Sequence, residues 1–256
     1  ERIATHVYGT SRAASAVVAL RTAELVKGAS AEQPLVLGLG VDSGLGAVYE
    51  ELVRLHREEG LSFRHVHAFV AHEYHGLAPH MRQLQSSQAF LQQYLLDHLT
   101  DLPPDNVHKV DTPANAHDEE VWAACRAQEA ALKEHGGLDL LLLGVSSSGR
   151  LAFHEPDCNL PEGAHVAFVE LDNRTRISAA SDFFGVESVP THAVTITLEA
   201  ILRAKEVVVL AFGEGKAGVV KKTVEGGISP SNPASSLQKH SNAHFYVDEA
   251  AATGLT

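Results

Sequence analysis

The chain has 256 residues, 45% hydrophobic and 20% charged, which is ample for a sizeable core and fits one large α/β domain or two small ones. Its formal charge of −12 creates a field that repels polyanions, excluding non-specific nucleic-acid binding and anionic membrane surfaces as partners. No apolar run reaches the ~20 residues of a bilayer span. The two cysteines, Cys125 and Cys158, make no disulfide framework, and the opening Glu1-Arg2-Ile3-Ala4-Thr5 lacks the basic-then-apolar pattern of a secretory signal. A cytoplasmic location is therefore expected.

Ala14, Val17, Val18, Leu20, Ala23 and Leu25 recur at helical spacing and predict a helix over 11–27, stopped by Gly28. Pro34 leads into the wholly apolar run Leu35-Val36-Leu37-Gly38-Leu39, the pattern of a strand buried on both faces. A second helix over 46–59 turns Val48, Leu52, Val53 and Leu55 inward and Arg54, Arg57, Glu58 and Glu59 outward. A strand follows at 66–70, then helices at 83–98 and 117–135, the latter carrying Trp122 and Leu132. Strands at 138–143, 166–171 and 206–211, a helix at 215–225 and a strand at 244–248 complete the pattern.

This alternation means an α/β fold with a mostly parallel sheet flanked by helices. With no internal repeat, low-complexity tract or Pro/Ser linker, a single domain over 1–256 is expected. Ligands in such sheets sit beyond the carboxyl ends of the strands, so the informative loops are 40–46, 71–80, 144–156 and 212–216.

These loops carry recognisable stretches: LVLGLGVDSGLGAVYEEL at 35–52, VHAFVAHEYHGL at 66–77, LDLLLLGVSSSGRLAFHEP at 138–156, and 204–226 with its GEGKA and VEG anchors. In order and in register from about Leu35 to the C-terminus, they resemble the glucosamine-6-phosphate deaminases, relatives of the 6-phosphogluconolactonases. The resemblance implies a Rossmann-like fold of the deaminase/ribose-5-phosphate isomerase type, a small-molecule sugar or sugar-phosphate ligand, and no cofactor. It also implies ring opening, proton transfer between C1 and C2 by a carboxylate base, and release of ammonia.

Position by position, the resemblance puts His72 where the family has its proton-transfer aspartate. Ser148 and Arg150 stand for the ring-opening Asp-x-His pair, and the assisting glutamate is retained as Glu155. A guanidinium stays protonated at any ordinary pH, so Arg150 cannot shuttle a proton as a histidine does. The phosphate turn falls on 40–46, where Asp42 brings a carboxylate beside Ser43 and Gly44. The phosphate arginine falls on Asp182, ahead of Phe183-Phe184, and the phosphate lysine is kept as Lys216. The family's S-R-T-R stretch is absent soon after Glu155, its place taken by Pro161-Glu162-Gly163-Ala164-His165.

The candidate site is thus His72 and Glu155 as catalytic groups, with Asp42, Ser43, Gly44, Glu73, Ser148, Arg150 and Lys216 as ligand-binding groups. His72, Ser148, Arg150, Glu155 and Lys216 should converge on one crevice, and Lys216 should pair with Asp42 or Asp182. Two carboxylates within several ångströms of a phosphate cost ~1–4 kcal/mol each at intermediate dielectric, enough to remove micromolar binding. Efficient glucosamine-6-phosphate deamination is not expected.

His65, His67, His72, His75 and His80 invite a metal reading, with His65 and His67 on one strand face and His72 and His75 in the loop that follows. The His72-Glu73-Tyr74-His75 spacing is not the helical His-Glu-x-x-His motif, and no metal is assigned. Gly144-Val145-Ser146-Ser147-Ser148-Gly149 fails the nucleophile-elbow spacing and reads as a hydrogen-bonding loop. The leading expectation is a diverged family member acting on or binding an amino sugar or sugar phosphate. If it is active, the reaction is isomerisation or deamination of a different sugar, with His72 as base and Glu155 as acid. The alternatives are a non-catalytic ligand-binding protein or sensor, or a metal-dependent hydrolase using the His72 region with Asp42 and Glu155. Assembly as a homo-oligomer stays open.

Overall fold

The computed structural model describes residues 2–111 and 113–256; Glu1, part of the opening segment read above, lies outside them. In chain order the strands are β1 (Ala4–Tyr8), β2 (Leu35–Leu39), β3 (Val66–Val70), β4 (His72–His75), β5 (Val107–His108), β6 (Leu140–Gly144), β7 (Val166–Glu170), β8 (His192–Ile196), β9 (Glu206–Ala211) and β10 (Ala243–Asp248). The helices are α1 (Ser11–Gly28), α2 (Gly46–Glu59), α3 (Pro79–Gln85), α4 (Ser87–Tyr94), α5 (Asp118–Glu134), α6 (Asn173–Ala179), α7 (Leu198–Arg203), α8 (Ala217–Val224) and α9 (Glu249–Ala252).

Among the described residues, seven strands pair in the order β1-β10-β9-β6-β2-β3-β5, every pair parallel. Runs such as Leu35–Leu39 and Glu206–Ala211 are buried along their whole length because helices cover both faces, which is why they show no alternation. On one face Leu37, Leu39, Ala68, Leu140 and Leu142 pack with Val18 of α1 and Leu52 of α2. On the other, Val36, Phe69, Leu141, Val207 and Val209 pack with Leu132 of α5, Ile201 of α7 and Val220 of α8.

The chain runs outward from β2 through β3 to β5, then returns to lay β6 on the other side of β2. β2 and β6 are therefore neighbours whose following loops diverge, the topological switch point at which such sheets open a crevice.

The strand expected at 166–171 forms, but it does not join the parallel sheet. β7 pairs antiparallel with β8, and β8 with β4, in a separate three-stranded sheet. Ala71 links the two sheets: its N–H donates to Leu39 C=O at 2.9 Å, and its own C=O accepts from Ile196 N–H at 2.8 Å. Residues 72–75, expected as loop, are therefore a strand, and His72 is buried within it at 8% exposure.

The helix expected over 83–98 is two helices and a 3-10 turn, broken at Ser86, whose extended backbone ends α3 and whose hydroxyl accepts from Ala89 N–H to cap α4. In α1 the buried stripe is Ala14, Ser15, Val18, Ala19, Thr22, Ala23 and Val26, whereas Leu20, expected inward, is 52% exposed. No helix among the described residues is long and apolar enough to cross a membrane.

Candidate functional site

At the switch point a crevice of about 220 Å³ opens beyond the carboxyl ends of β2 and β6. Its floor comes from Gly40, Val41 and Asp42 after β2 and from Leu143, Gly144 and Ser146 at the end of β6. His72 and Tyr74 of β4, Arg150 and Phe153 of the β6 loop, Gln85 of α3, and Asp182 and Phe183 close it. A larger depression of about 810 Å³ lies at the amino edge of the sheet, along Leu35, His135, Asp139, Glu206 and Asn242, and holds none of the expected site residues.

The turn after β2 is held from below. The buried Tyr49 hydroxyl donates to Gly40 C=O at 2.6 Å, and Asp42 Oδ1 accepts from Gly44 N–H at 3.1 Å, tightening the turn around the carboxylate. A Cβ at Gly144 would fall 2.2 Å from Asp42 Cγ, so the Asp42 carboxyl lies directly over the glycine that ends β6. Asp42 thus faces the crevice. Ser43 is exposed with its hydroxyl turned to Asp42 at 3.4 Å, and Gly44 packs against the Phe212 ring; neither is on the crevice wall.

In the loop after β6, Ser146 Oγ accepts from Arg150 N–H at 3.1 Å and shares a 2.8 Å hydrogen bond with Ser148 Oγ. The three-serine segment is a hydrogen-bonded turn that sets the position of Arg150, with Ser146 rather than Ser148 on the crevice wall. The Arg150 guanidinium donates to Ala152 C=O, lies over the Phe153 ring at 5.0 Å and stands 3.8 Å from Glu155. Burial works against its charge, and Glu155, Tyr74 and Asp42 work for it.

Glu155 sits behind Arg150, 4% exposed and off the crevice wall. Its carboxylate accepts from Asp172 N–H at 3.2 Å and from the Thr175 hydroxyl at 3.0 Å. Burial raises its pKa, opposed by the Thr175 hydrogen bond and by Arg150. Thr175 belongs to Asn173-Arg174-Thr175-Arg176, an R-T-R run at the start of α6. The S-R-T-R stretch stays absent from its expected place soon after Glu155; β7 instead brings Thr175 of this later run back beside the glutamate.

His72 is held by packing, its ring edge-on to Phe153 at 4.8 Å between centroids. Burial, reinforced by the Arg150 charge, pushes its pKa down to about 3, so the imidazole is neutral at physiological pH. Its Nδ1 is buried without a hydrogen-bond partner among the described residues. The expectation that His72 lies in the loop after β3 is thereby corrected: it is a buried strand residue.

Glu73, next along the strand, points to the opposite side. It accepts from Ser86 Oγ–H at 2.6 Å, Gln88 N–H at 2.9 Å, Ser87 N–H at 3.2 Å and Tyr74 N–H at 2.8 Å. Alternation along a strand sends neighbours to opposite faces, and the Glu73 carboxylate is taken up by the exposed N–H groups of α4. Ligand contact by Glu73 is not what the geometry offers.

Lys216, at the end of a 3-10 turn after β9, donates from Nζ to Val145 C=O at 2.6 Å. It makes no ion pair within 4.0 Å among the described residues, so the pairing expected with Asp42 or Asp182 does not occur. Asp182 does reach the crevice, where Gln85 Nε2 donates to its backbone C=O at 2.6 Å.

Of the expected residues, Asp42, His72 and Arg150 share the crevice wall, Ser148 and Glu155 support Arg150, and Lys216 lies off the wall. Gln85 and Ser87 line it without a sequence signal, because their places depend on the break at Ser86, whereas Phe183 belongs to the Phe183-Phe184 pair noted beside Asp182. Tyr74 had a signal, the H-E-Y run. Among the described residues no group of three metal-competent side chains has its ligand atoms gathered at the crevice.

Residues 10–246 match the family model described as glucosamine-6-phosphate isomerases/6-phosphogluconolactonase. The chain is 38% identical over 243 residues to glucosamine-6-phosphate deaminase 2 of Giardia intestinalis, covering 94% of this chain and 88% of that one. It is 35% identical over 257 aligned positions to a glucosamine-6-phosphate deaminase-like protein of Bacteroides thetaiotaomicron, of whose length it spans 38%. Among solved structures, a monomeric glucosamine-6-phosphate deaminase superposes with a TM-score of 0.88 at 30% identity, covering 98% of this chain and 100% of that one. The 6-phosphogluconolactonase of Trypanosoma brucei, at 22% identity and a TM-score of 0.77 over 99% of each chain, shares the fold. By sequence and by fold alike, the chain belongs to the family of glucosamine-6-phosphate isomerases and 6-phosphogluconolactonases.

Proposed function

We propose that the crevice binds a single neutral or amino-bearing monosaccharide in preference to a sugar phosphate, and that the chain is not an efficient glucosamine-6-phosphate deaminase. The observation that carries this reading is His72: a neutral, buried imidazole with an unpartnered Nδ1, where the deaminases place a carboxylate base. An imidazole whose conjugate acid has a pKa of about 3 is a poor base for abstracting a carbon-bound proton. It is well suited to exchange hydrogen bonds with a hydroxyl, offering one donor and one acceptor.

The remaining wall agrees. Asp42 and Asp182 accept from hydroxyls or an ammonium and repel a phosphate dianion, while Glu155 offsets part of the Arg150 charge. Tyr74, Phe153 and Phe183 pack together at 4.8 and 5.2 Å between centroids and present apolar ring surface to the C–H face of a sugar. The volume of about 220 Å³ is below the ~300–1,000 Å³ of drug-sized sites, which suits one small ring. Isomerisation with His72 as base and Glu155 as acid is disfavoured, because Arg150 stands between Glu155 and the crevice.

Calorimetric titration with glucose, glucosamine and glucosamine-6-phosphate, alongside an ammonia-release assay, tests the proposal. Saturable binding of a non-phosphorylated hexose, at least about tenfold tighter than the phosphate ester, is expected. Ammonia release from glucosamine-6-phosphate at an ordinary enzymatic rate, about 1–10³ s⁻¹, would overturn it. So would tighter binding of the phosphate ester.

A further inference from the structure

On the α5 face of the sheet, away from the crevice, three histidines meet. His67 lies on β3 and shares that face with Phe69, against which His108 of the two-residue edge strand β5 is registered and stacked at 4.2 Å. His135 is the residue that caps the carboxyl end of α5, with Gly136 and Gly137 at φ 80° and 89° turning the chain back toward β6. The rings are part-buried, and their nearest ring nitrogens all lie within 4.8 Å of one another. His67 Nδ1 and His108 Nε2 are 3.2 Å apart.

We propose that His67, His108 and His135 form a binding site for a borderline divalent transition-metal ion, zinc(II) being the type case. Metal–imidazole bonds of ~2.0–2.1 Å in a tetrahedral arrangement place two ligand nitrogens about 3.3 Å apart and their ring centroids about 5 Å apart. The His67–His108 nitrogens already stand at 3.2 Å, and the His67–His108 and His108–His135 centroids at 5.4 and 5.2 Å. The His67 and His135 rings, at 3.9 Å, must open by about an ångström, a swing available to a residue at a helix end.

Ion binding replaces the His67–His108 hydrogen bond with two metal–nitrogen bonds, and the proton between those rings moves to the outer nitrogen of whichever ring held it. Three imidazoles with no thiolate or carboxylate in the set select borderline ions such as zinc(II) over magnesium or calcium. The fourth position is left to water.

Access comes from the 810 Å³ depression, whose wall includes His135 and Glu134. The chain's net charge of −12 raises the local concentration of cations. An ion here would tie the shortest strand of the sheet to the end of α5, independently of what the crevice binds.

Chelator-treated full chain titrated with zinc(II) should bind one equivalent, and its thermal unfolding midpoint should rise with zinc concentration. His108→Ala and His135→Gln should each weaken binding at least about tenfold and abolish the thermal shift, whereas His65→Ala, next to the cluster in sequence, should leave both unchanged. Circular dichroism of the metal-free variants establishes that they are folded; His135→Gln, at a helix end, preserves the test should His108→Ala unfold. Crystals soaked in zinc(II) should show an anomalous peak about 2.0–2.1 Å from the three ring nitrogens. Absence of stoichiometric binding, binding unaffected by the two variants, or a peak at other histidines would overturn the proposal.

Discussion

The most decisive perturbation concerns the charge state of His72. Its imidazole is pushed from an ordinary 6.5 to about 3 by burial and by the Arg150 guanidinium, with Phe153 packed edge-on and no hydrogen-bond partner for Nδ1 among the described residues. The folded state therefore disfavours the imidazolium. The corresponding stability is fully present above the unfolded pKa of 6.5 and is lost progressively as pH falls toward 3. At about 1.36 kcal/mol per pH unit, a drop to pH 5 lies about 1.5 units into this window and removes roughly 2 kcal/mol. His72→Gln keeps a neutral donor and acceptor but cannot titrate. Urea unfolding of both proteins at pH 7 and pH 5 should show the native chain losing about 2 kcal/mol more than the variant, the other histidines cancelling in the difference. Equal losses in the two proteins would mean that His72 is solvated or paired in the folded state, and the argument that it is a neutral hydrogen-bonding group would fail.

Two further outcomes follow from the neighbouring carboxylates. Glu73→Ala removes the acceptor for the N–H groups of Ser87 and Gln88 and the Ser86 hydroxyl, and should cost roughly 2–4 kcal/mol in urea unfolding. Glu73→Gln should lose less, and a loss below about 0.5 kcal/mol for the alanine variant would show the cap to be dispensable. Asp42→Gly combined with Asp182→Arg removes two carboxylates from the crevice wall and adds a cation. Glucosamine-6-phosphate binding should tighten at least about tenfold in calorimetry without ammonia release, and no gain would refute an electrostatic barrier to the phosphate.

Much of the architecture could be read along the chain, and the reason is that it depends on local periodicity. The helix over 46–59 and the strand at 35–39 appear with the same bounds in the structure, because one carries a clear apolar stripe and the other an unbroken apolar run between turn signals. The family likeness and the location of the site beyond the carboxyl ends of β2 and β6 were also legible, since glycine-rich turns after apolar strands mark where a parallel sheet opens. Asp42, His72 and Arg150 came from the position-by-position resemblance to the family. The apolar run at 166–171 was a strand by the same logic, but its sheet was not decided by it. A buried strand has the same composition in a parallel core as in an antiparallel cover.

What the sequence by itself determined was the α/β alternation, the course of its strongly periodic helices and wholly apolar strands, and which chemical groups stand at the site loops. Only the tertiary structure decided what those groups touch. Glu73 meets the start of α4, Lys216 meets Val145, Thr175 meets Glu155, and β4 carries His72 into the interior beside Arg150. Each of these partners is distant along the chain, and no residue-by-residue pattern records it. Burial depth and the neighbouring charge set protonation and hydrogen bonding, and both arise when separate elements pack together.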